Sequence, residues 1–340
     1  MSHRIRLGIT VLALLVLFCA APLFGQQKGQ WVPGQFGLNA GVIPEPGITY
    51  ANLAINYSAT ELDGNNGNRI RQNVTGTYSF WSDENIFYYV PNHKFLGAYY
   101  MPYIALTYAT GELVADFPIA PGVRLSGGGS GFADTYVQPV NLGWHLKRAD
   151  VNAGYAFFAP TGRYTAGASD NVGSGYWGHD ITSGTTFYIT KNKGTSANLA
   201  TAWELHHGER KTASVPLGRQ VSNKTPGQAF TMEWGLGQVL PLKKDLSMLA
   251  QLGVVGYDQW QVSNNGGTVI VAGIPIRASL LPYYSVHAIG VQSNFILPNK
   301  NFSLFFKYYD QYRAMATVKG RTFVFGGSWT LRIPKPQPKS

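Results

Sequence analysis

The chain has 340 residues, of which only 13% are charged, where about a quarter is usual for a soluble domain, while 14% are aromatic and 40 are glycine. Mean hydropathy is −0.07, which excludes a bundle of apolar membrane helices but suits strands that alternate apolar and polar residues. The net charge of +10 is scattered without any long Lys/Arg run, so nucleic acid is not an expected partner.

His3, Arg4 and Arg6 make a cationic start, and residues 7–21 form an apolar run of about 15, the pattern of a secretory leader and short for a spanning helix. Cleavage near Gly25 or Gln26 makes 1–25 the signal peptide. Cys19, the only cysteine, lies inside it, and the bulky Phe18 before it argues against a lipid-attachment site. The mature chain then holds no thiol, which excludes disulfides, Cys-ligated zinc and a Cys nucleophile. Residues 26–48, with Trp31, Phe36, Leu38 and Val42, form an N-terminal periplasmic segment, read either as a small hatch tucked into the periplasmic mouth or as a disordered remnant of the leader.

From residue 49 onward the dominant period is two. In 49–58, Ala51, Leu53, Ile55 and Tyr57 alternate with Asn52, Asn56 and Ser58. Val151, Ala153, Tyr155 and Phe157 alternate with Asn152 and Gly154. Trp177, Ile181, Phe187 and Ile189 alternate with Asp180, Thr182, Gly184 and Thr186. Leu199, Trp203 and Leu205 alternate with Asn198, Glu204 and His206; Phe230, Met232, Trp234 and Leu236 with Thr231, Glu233 and Gly235. Phe302, Leu304, Phe306 and Tyr308 alternate with Ser303, Lys307 and Gln311, and Phe323, Phe325, Trp329, Leu331 and Ile333 with Thr322, Ser328, Thr330 and Arg332. Less regular segments near 71–81, 94–108, 134–145, 245–261 and 280–295 bring the count to about twelve strands of about 10–16 residues, long enough to cross a bilayer on a tilt.

The connections alternate as well. Those at 147–150, 191–196, 241–244 and 298–300 are short; those near 59–70, 109–133, 160–176, 208–228 and 263–278 are long. Only 82–93 breaks the rhythm, because 86–90 can extend a strand. The fold class is therefore all-β: a closed antiparallel transmembrane β-barrel of about 12 strands over 49–333, in the cell outer membrane, with a proline- and lysine-rich periplasmic tail at 334–340. Closure follows because an unpaired strand edge in hydrocarbon costs several kcal/mol per backbone group. A soluble sandwich or propeller is the alternative, and it would turn the apolar set inward. Trp81, Trp144, Trp177, Trp203, Trp260 and Trp329 fit interfacial girdles against outer-membrane lipids and lipopolysaccharide; an aromatic ladder inside the lumen is the other use for such rings.

Several motifs carry a resemblance. They are Gly41-Val42-Ile43-Pro44-Glu45-Pro46-Gly47 before Thr49-Tyr50, the run Gly127 to Ser130 leading through Gly131-Phe132-Ala133-Asp134-Thr135 to Leu142-Gly143-Trp144, and Pro160-Thr161-Gly162-Arg163-Tyr164. Leu236-Gly237-Gln238, with Val254-Val255-Gly256-Tyr257 downstream, completes the set. In order, over about residues 33–331, they resemble the phenol meta-pathway degradation family of transporter-like outer-membrane barrels. The resemblance implies a transporter or channel for small, often hydrophobic or aromatic compounds, inserted by the barrel assembly machinery. No enzyme activity and no cofactor are expected from the residues themselves. One departure is the end of the chain, where such barrels commonly stop on an aromatic residue.

If the polar sets face the lumen, Arg71, Asp180, Glu204, His206, Glu233, Lys307 and Arg332 point inward, a mixed-sign lining that either ion-pairs to stabilise a tight barrel or forms a solute-binding constriction. Asp134 follows the glycine run as a loop-to-strand turn with a candidate lumen role. Pro160, Thr161, Gly162 and Arg163 read as a strand-exit turn at the outer mouth. Glu204 and His206 converge without a further ligand, so no metal is expected. Ser285 and His287 share one face, and a barrel hydrolase would need an orienting acid beside them. A structural or adhesion barrel without transport is the remaining alternative.

Overall fold

The computed structural model describes residues 29–69, 75–116, 124–165, 168, 170–208, 210–214, 220–271 and 274–332. The leader, Arg71 and the tail lie outside the described residues. The strands are β1 (Gly47–Asp63), β2 (Thr75–Val90), β3 (Tyr99–Tyr100), β4 (Tyr103–Asp116), β5 (Arg124–Phe132), β6 (Thr135–His145), β7 (Ala149–Ala159), β8 (Trp177–Tyr188) and β9 (Thr195–His207). They continue with β10 (Arg210–Ser214), β11 (Gln220–Thr225), β12 (Ala229–Pro241), β13 (Leu249–Gln261), β14 (Gly266–Val271), β15 (Ile274–Arg277), β16 (Ser285–Leu297), β17 (Phe302–Met315) and β18 (Thr317–Arg332).

The wall runs β6-β7-β8-β9-β12-β13-β16-β17-β18-β1-β2-β4 and closes where residues 103–105 of β4 pair with 136–138 of β6. β3 is a short forerunner of β4 interrupted at Met101-Pro102, and β5 leads into β6 across Ala133-Asp134, so the closed antiparallel barrel has twelve strands, as the periodicity predicts. The interruptions have a physical cause. Pro102 and Pro139 carry no N–H for the ladder, and the β6–β7 register slips between Val137 and Val140.

The stretch 82–93 is mostly strand, β2 reaching Val90, which accounts for the break in the rhythm of connections. The stretch expected as a long loop at 109–133 is largely the hairpin of β4 and β5, which contains the glycine run. Glycine is needed there for approach rather than for a turn: a Cβ on Gly128 would lie 2.3 Å from the backbone oxygen of Gly111 on β4. The regions 208–228 and 263–278 also build a separate four-stranded sheet, β10-β11-β14-β15.

Over most of the wall the faces sort as a membrane barrel requires. Ile181, Val291, Phe325 and Trp329 point outward, 60%, 52%, 57% and 51% exposed, while Asp180, Glu204, Glu233 and Lys307 lie inside at 0% to 2%. A soluble sandwich would show the reverse.

The first strand corrects the sequence reading. Ala51, Leu53, Ile55 and Tyr57 of β1 face inward and are buried, and Asn52 and Ser58 face outward. The apolar face of β1 has a protein partner: Leu53 and Ile55 join Trp31, Ile86, Ala105 and Val324 in one buried cluster. The outward polar residues satisfy one another, Asn52 Nδ2 donating to Asp83 Oδ1 at 2.6 Å and Tyr50 OH to Asn85 Oδ1 at 2.6 Å.

Candidate functional site

Residues 29–46 precede β1 and run inside the barrel, and the wall supplies the acceptors their main chain needs. Glu204 on β9 accepts the N–H groups of Gln30 and, at 3.1 Å, Trp31. Glu233 on β12 accepts the Phe36 N–H at 2.8 Å and the Trp31 indole N–H at 3.3 Å. Lower down, Gln292, Asn198 and Thr186 accept the N–H groups of Leu38, Asn39 and Gly41 at 3.0, 2.9 and 3.0 Å. Lys307 on β17 works in the opposite sense, its ammonium donating to the carbonyls of Gly34, Gln35 and Phe36. An irregular segment buried in a membrane barrel must satisfy its backbone groups in this way. Close approach is built in as well. A Cβ on Gly41 would stand 2.1 Å from the Asp150 backbone oxygen, and one on Gly184 of β8 would stand 2.1 Å from that of Ala40.

Of the residues singled out from sequence, Asp180, Glu204, His206, Glu233 and Lys307 all face the lumen. His206 bridges Glu204 Oε1 at 2.5 Å and the Gly227 backbone oxygen at 3.1 Å. Asp180 stands directly across from Glu204 on β8, fully buried, with neither carboxylate oxygen bonded to a described residue. Glu204 turns instead toward the segment N–H groups and His206. Arg332 ends β18 opposite Gly47, and its side chain lies outside the described residues.

Asp134 does more than turn the chain. Its Oδ1 accepts the Gly162 N–H at 3.0 Å; its Oδ2 accepts the Ser174 N–H at 2.7 Å and the Gln30 side-chain amide at 2.9 Å. One carboxylate therefore joins the exit turn, the loop after it and the top of the inner segment. Thr161 Oγ1 accepts the Thr135 N–H at 3.0 Å. Arg163 pairs with Asp170 and donates to the Ser130 carbonyl at 3.1 Å, pinning the loop to the β5 edge.

The segment is bonded mainly to β8, β9, β12, β13, β16 and β17, which leaves a cavity of about 880 Å³ along the opposite wall. It is lined by residues near the long-loop end, such as Asn171 and Val172, and near the short-turn end, such as Pro44, Ile296 and Ser328. Rings line its middle in contact: Tyr88–Tyr103 at 4.6 Å between centroids, Tyr103–Tyr136 at 5.6 Å, Tyr136–Phe158 at 4.7 Å and Tyr136–Trp31 at 6.0 Å.

A lumen-filled barrel with these motifs has relatives. The family model described as "Putative MetA-pathway of phenol degradation" matches residues 59–326. The chain belongs to this family. Solved structures extend the comparison to the fold. The COG4313 outer membrane channel from Pseudomonas putida F1 superposes with a TM-score of 0.65 at 12% identity, over 89% of this chain and 100% of that one. A FadL homologue from Pseudomonas aeruginosa gives a TM-score of 0.37 at 10% identity, over 83% and 89%. No curated protein matches the sequence. The protein is thus an outer-membrane β-barrel of this family.

The hydrolase geometry is half formed. Asp258 Oδ1 stands 2.7 Å from His287 Nδ1, an orienting acid that sequence did not reveal, yet no hydrogen bond joins Ser285 to His287. The nucleophile is therefore not coupled to a base. Sequence reasoning allowed an aromatic ladder in the lumen but did not place its rings on these strands. Tyr88 and Tyr103 alternate like lipid-facing residues, and the available signal was the outward polar set Asn52, Asp83 and Asn85, which turns their strands over.

Proposed function

We propose that this barrel admits small hydrophobic or aromatic compounds, which move past the ring-lined wall beside the inner segment toward the periplasm. The observation that supports it is the cavity, walled by contacting rings and touching residues at both ends of the barrel. Aromatic faces offer apolar solutes area and stacking without a desolvation cost. The inner segment acts as a plug that narrows the lumen. In this reading the short-turn end, where the wall starts and finishes, faces the periplasm.

Flux of a phenol series into proteoliposomes, against empty liposomes, tests the reading. Aromatic solutes should enter faster than sugars of equal mass. Absence of any protein-dependent flux of aromatic solutes overturns it and leaves the structural or adhesion barrel as the better account.

A further inference from the structure

Four described charged residues line the cavity: Glu84, Glu112, Asp134 and Lys307. Three are spoken for or outside the apolar zone. Asp134 accepts hydrogen bonds from Gly162, Ser174 and Gln30. Lys307 donates to the plug carbonyls of Gly34, Gln35 and Phe36, so it is not free for an anion. Glu112 is exposed near the long-loop end of β4. Glu84 is different. It is 7% exposed, and no hydrogen bond or ion pair joins its carboxylate to a described residue. Its cross-strand neighbours on the inner face are Leu53 and Thr107, and Ser82 and Ile86 flank it along β2. A carboxylate so placed has lost most of its water and has no hydrogen-bond donor among the described residues; the Lys307 ammonium acts on it only across space, its own hydrogen bonds going to the plug carbonyls, so a ligand that brings a donor meets an open acceptor.

We propose that Glu84 is the charge-reading element of the cavity and selects apolar or aromatic molecules that carry a protonated amine. The ammonium donates to the Glu84 carboxylate. The apolar body lies against Leu53, Ile86 and the neighbouring rings, whose faces also attract a cation. The proposal rests on the transport reading and narrows its substrate class.

The test is calorimetric titration of the purified full-length protein, near neutral pH and in one detergent, with naphthylmethylamine, naphthylmethanol and naphthoate. These share a ring system and differ in charge. In the native protein the amine should bind at least about tenfold tighter than the alcohol, the range of one charge-assisted hydrogen bond, and naphthoate most weakly. In Glu84→Gln the amine and the alcohol should bind alike. Glu84→Asp keeps the charge and should keep the order of preference, which guards against a Gln variant that fails to fold. Equal binding of amine and alcohol to the native protein, or a preference that survives Glu84→Gln, overturns the assignment of Glu84 and leaves the transport reading standing. Failure of all three compounds to bind overturns both.

Discussion

The two sides of the lumen are built to different rules. From β8 round to β17 the inner face carries a band of long polar side chains, Glu204, Glu233, Gln251, Gln292 and Lys307, all engaged with the inner segment, beside an apolar cluster of Val255, Tyr257, Val286 and Tyr309 that packs on Leu38 of the segment. On β1, β2, β4 and β6 the inner face is apolar and aromatic, and the main chain of the segment finds few acceptors there. A buried irregular segment goes where its backbone groups are satisfied. The asymmetry of the wall therefore decides where the plug lies, and the cavity is the space on the side that cannot bond it. Plug and pathway are consequences of one sequence feature, the unequal distribution of polar residues over the inner face.

Removing that inequality should have the largest effect. Glu204→Ala with Glu233→Ala deletes the acceptors for three main-chain N–H groups and the Trp31 indole. Each such bond to a charged group is worth about 1.5–3 kcal/mol net. Release of the segment should raise single-channel conductance severalfold in planar bilayers. Unchanged conductance would show that the segment is held by shape alone. A smaller effect is expected on the other side. Tyr136 sits at the junction of the ring chain, touching Trp31, Tyr103 and Phe158. Tyr136→Ala should weaken binding of naphthylmethanol about three- to tenfold, the scale of an aromatic pair of about 0.5–1.5 kcal/mol, with conductance to salt no lower. Undiminished affinity would place the solute path elsewhere.

The polar side was legible in the sequence and the apolar side was not. On β8, β9, β12 and β17 an outward apolar set alternates with Asp180, Glu204, Glu233 and Lys307, and period two separates them without ambiguity. On β1 the same alternation gave the wrong face, because the rule that apolar residues meet lipid fails where the lumen itself holds an apolar segment. Trp31 is the reason Leu53 and Ile55 point inward, and its contact with them spans a stretch of chain that no local pattern reports. The role of Asp134 was hidden likewise. A carboxylate after glycines reads as a turn, and its bonds to Gln30 and Ser174 join segments 104 and 40 residues away.

The smallest predicted effect tests the inversion of β1 from outside. Asn52, Asp83 and Asn85 face outward on β1 and β2 and bond one another, Asn85 Nδ2 donating to Asp83 Oδ2 at 3.2 Å. Their neighbours on the outer face include Phe87, Leu106 and Phe325. Polar groups on a lipid-facing wall lower stability even when they satisfy each other. Replacing a whole bonded set with apolar residues is neutral or stabilising, whereas removing one partner is not. The bonded set includes the Tyr50 hydroxyl, which donates to Asn85, so the fourfold change Tyr50→Phe, Asn52→Leu, Asp83→Leu and Asn85→Leu should raise stability in urea-dependent refolding into detergent by about 1–3 kcal/mol, while Asn52→Leu alone, which leaves Asp83 with one partner fewer, should lower it. A loss of stability in the fourfold variant would mean that these residues face protein rather than lipid. The outer surface of β1 and β2 would then need a partner just as its inner surface needs Trp31.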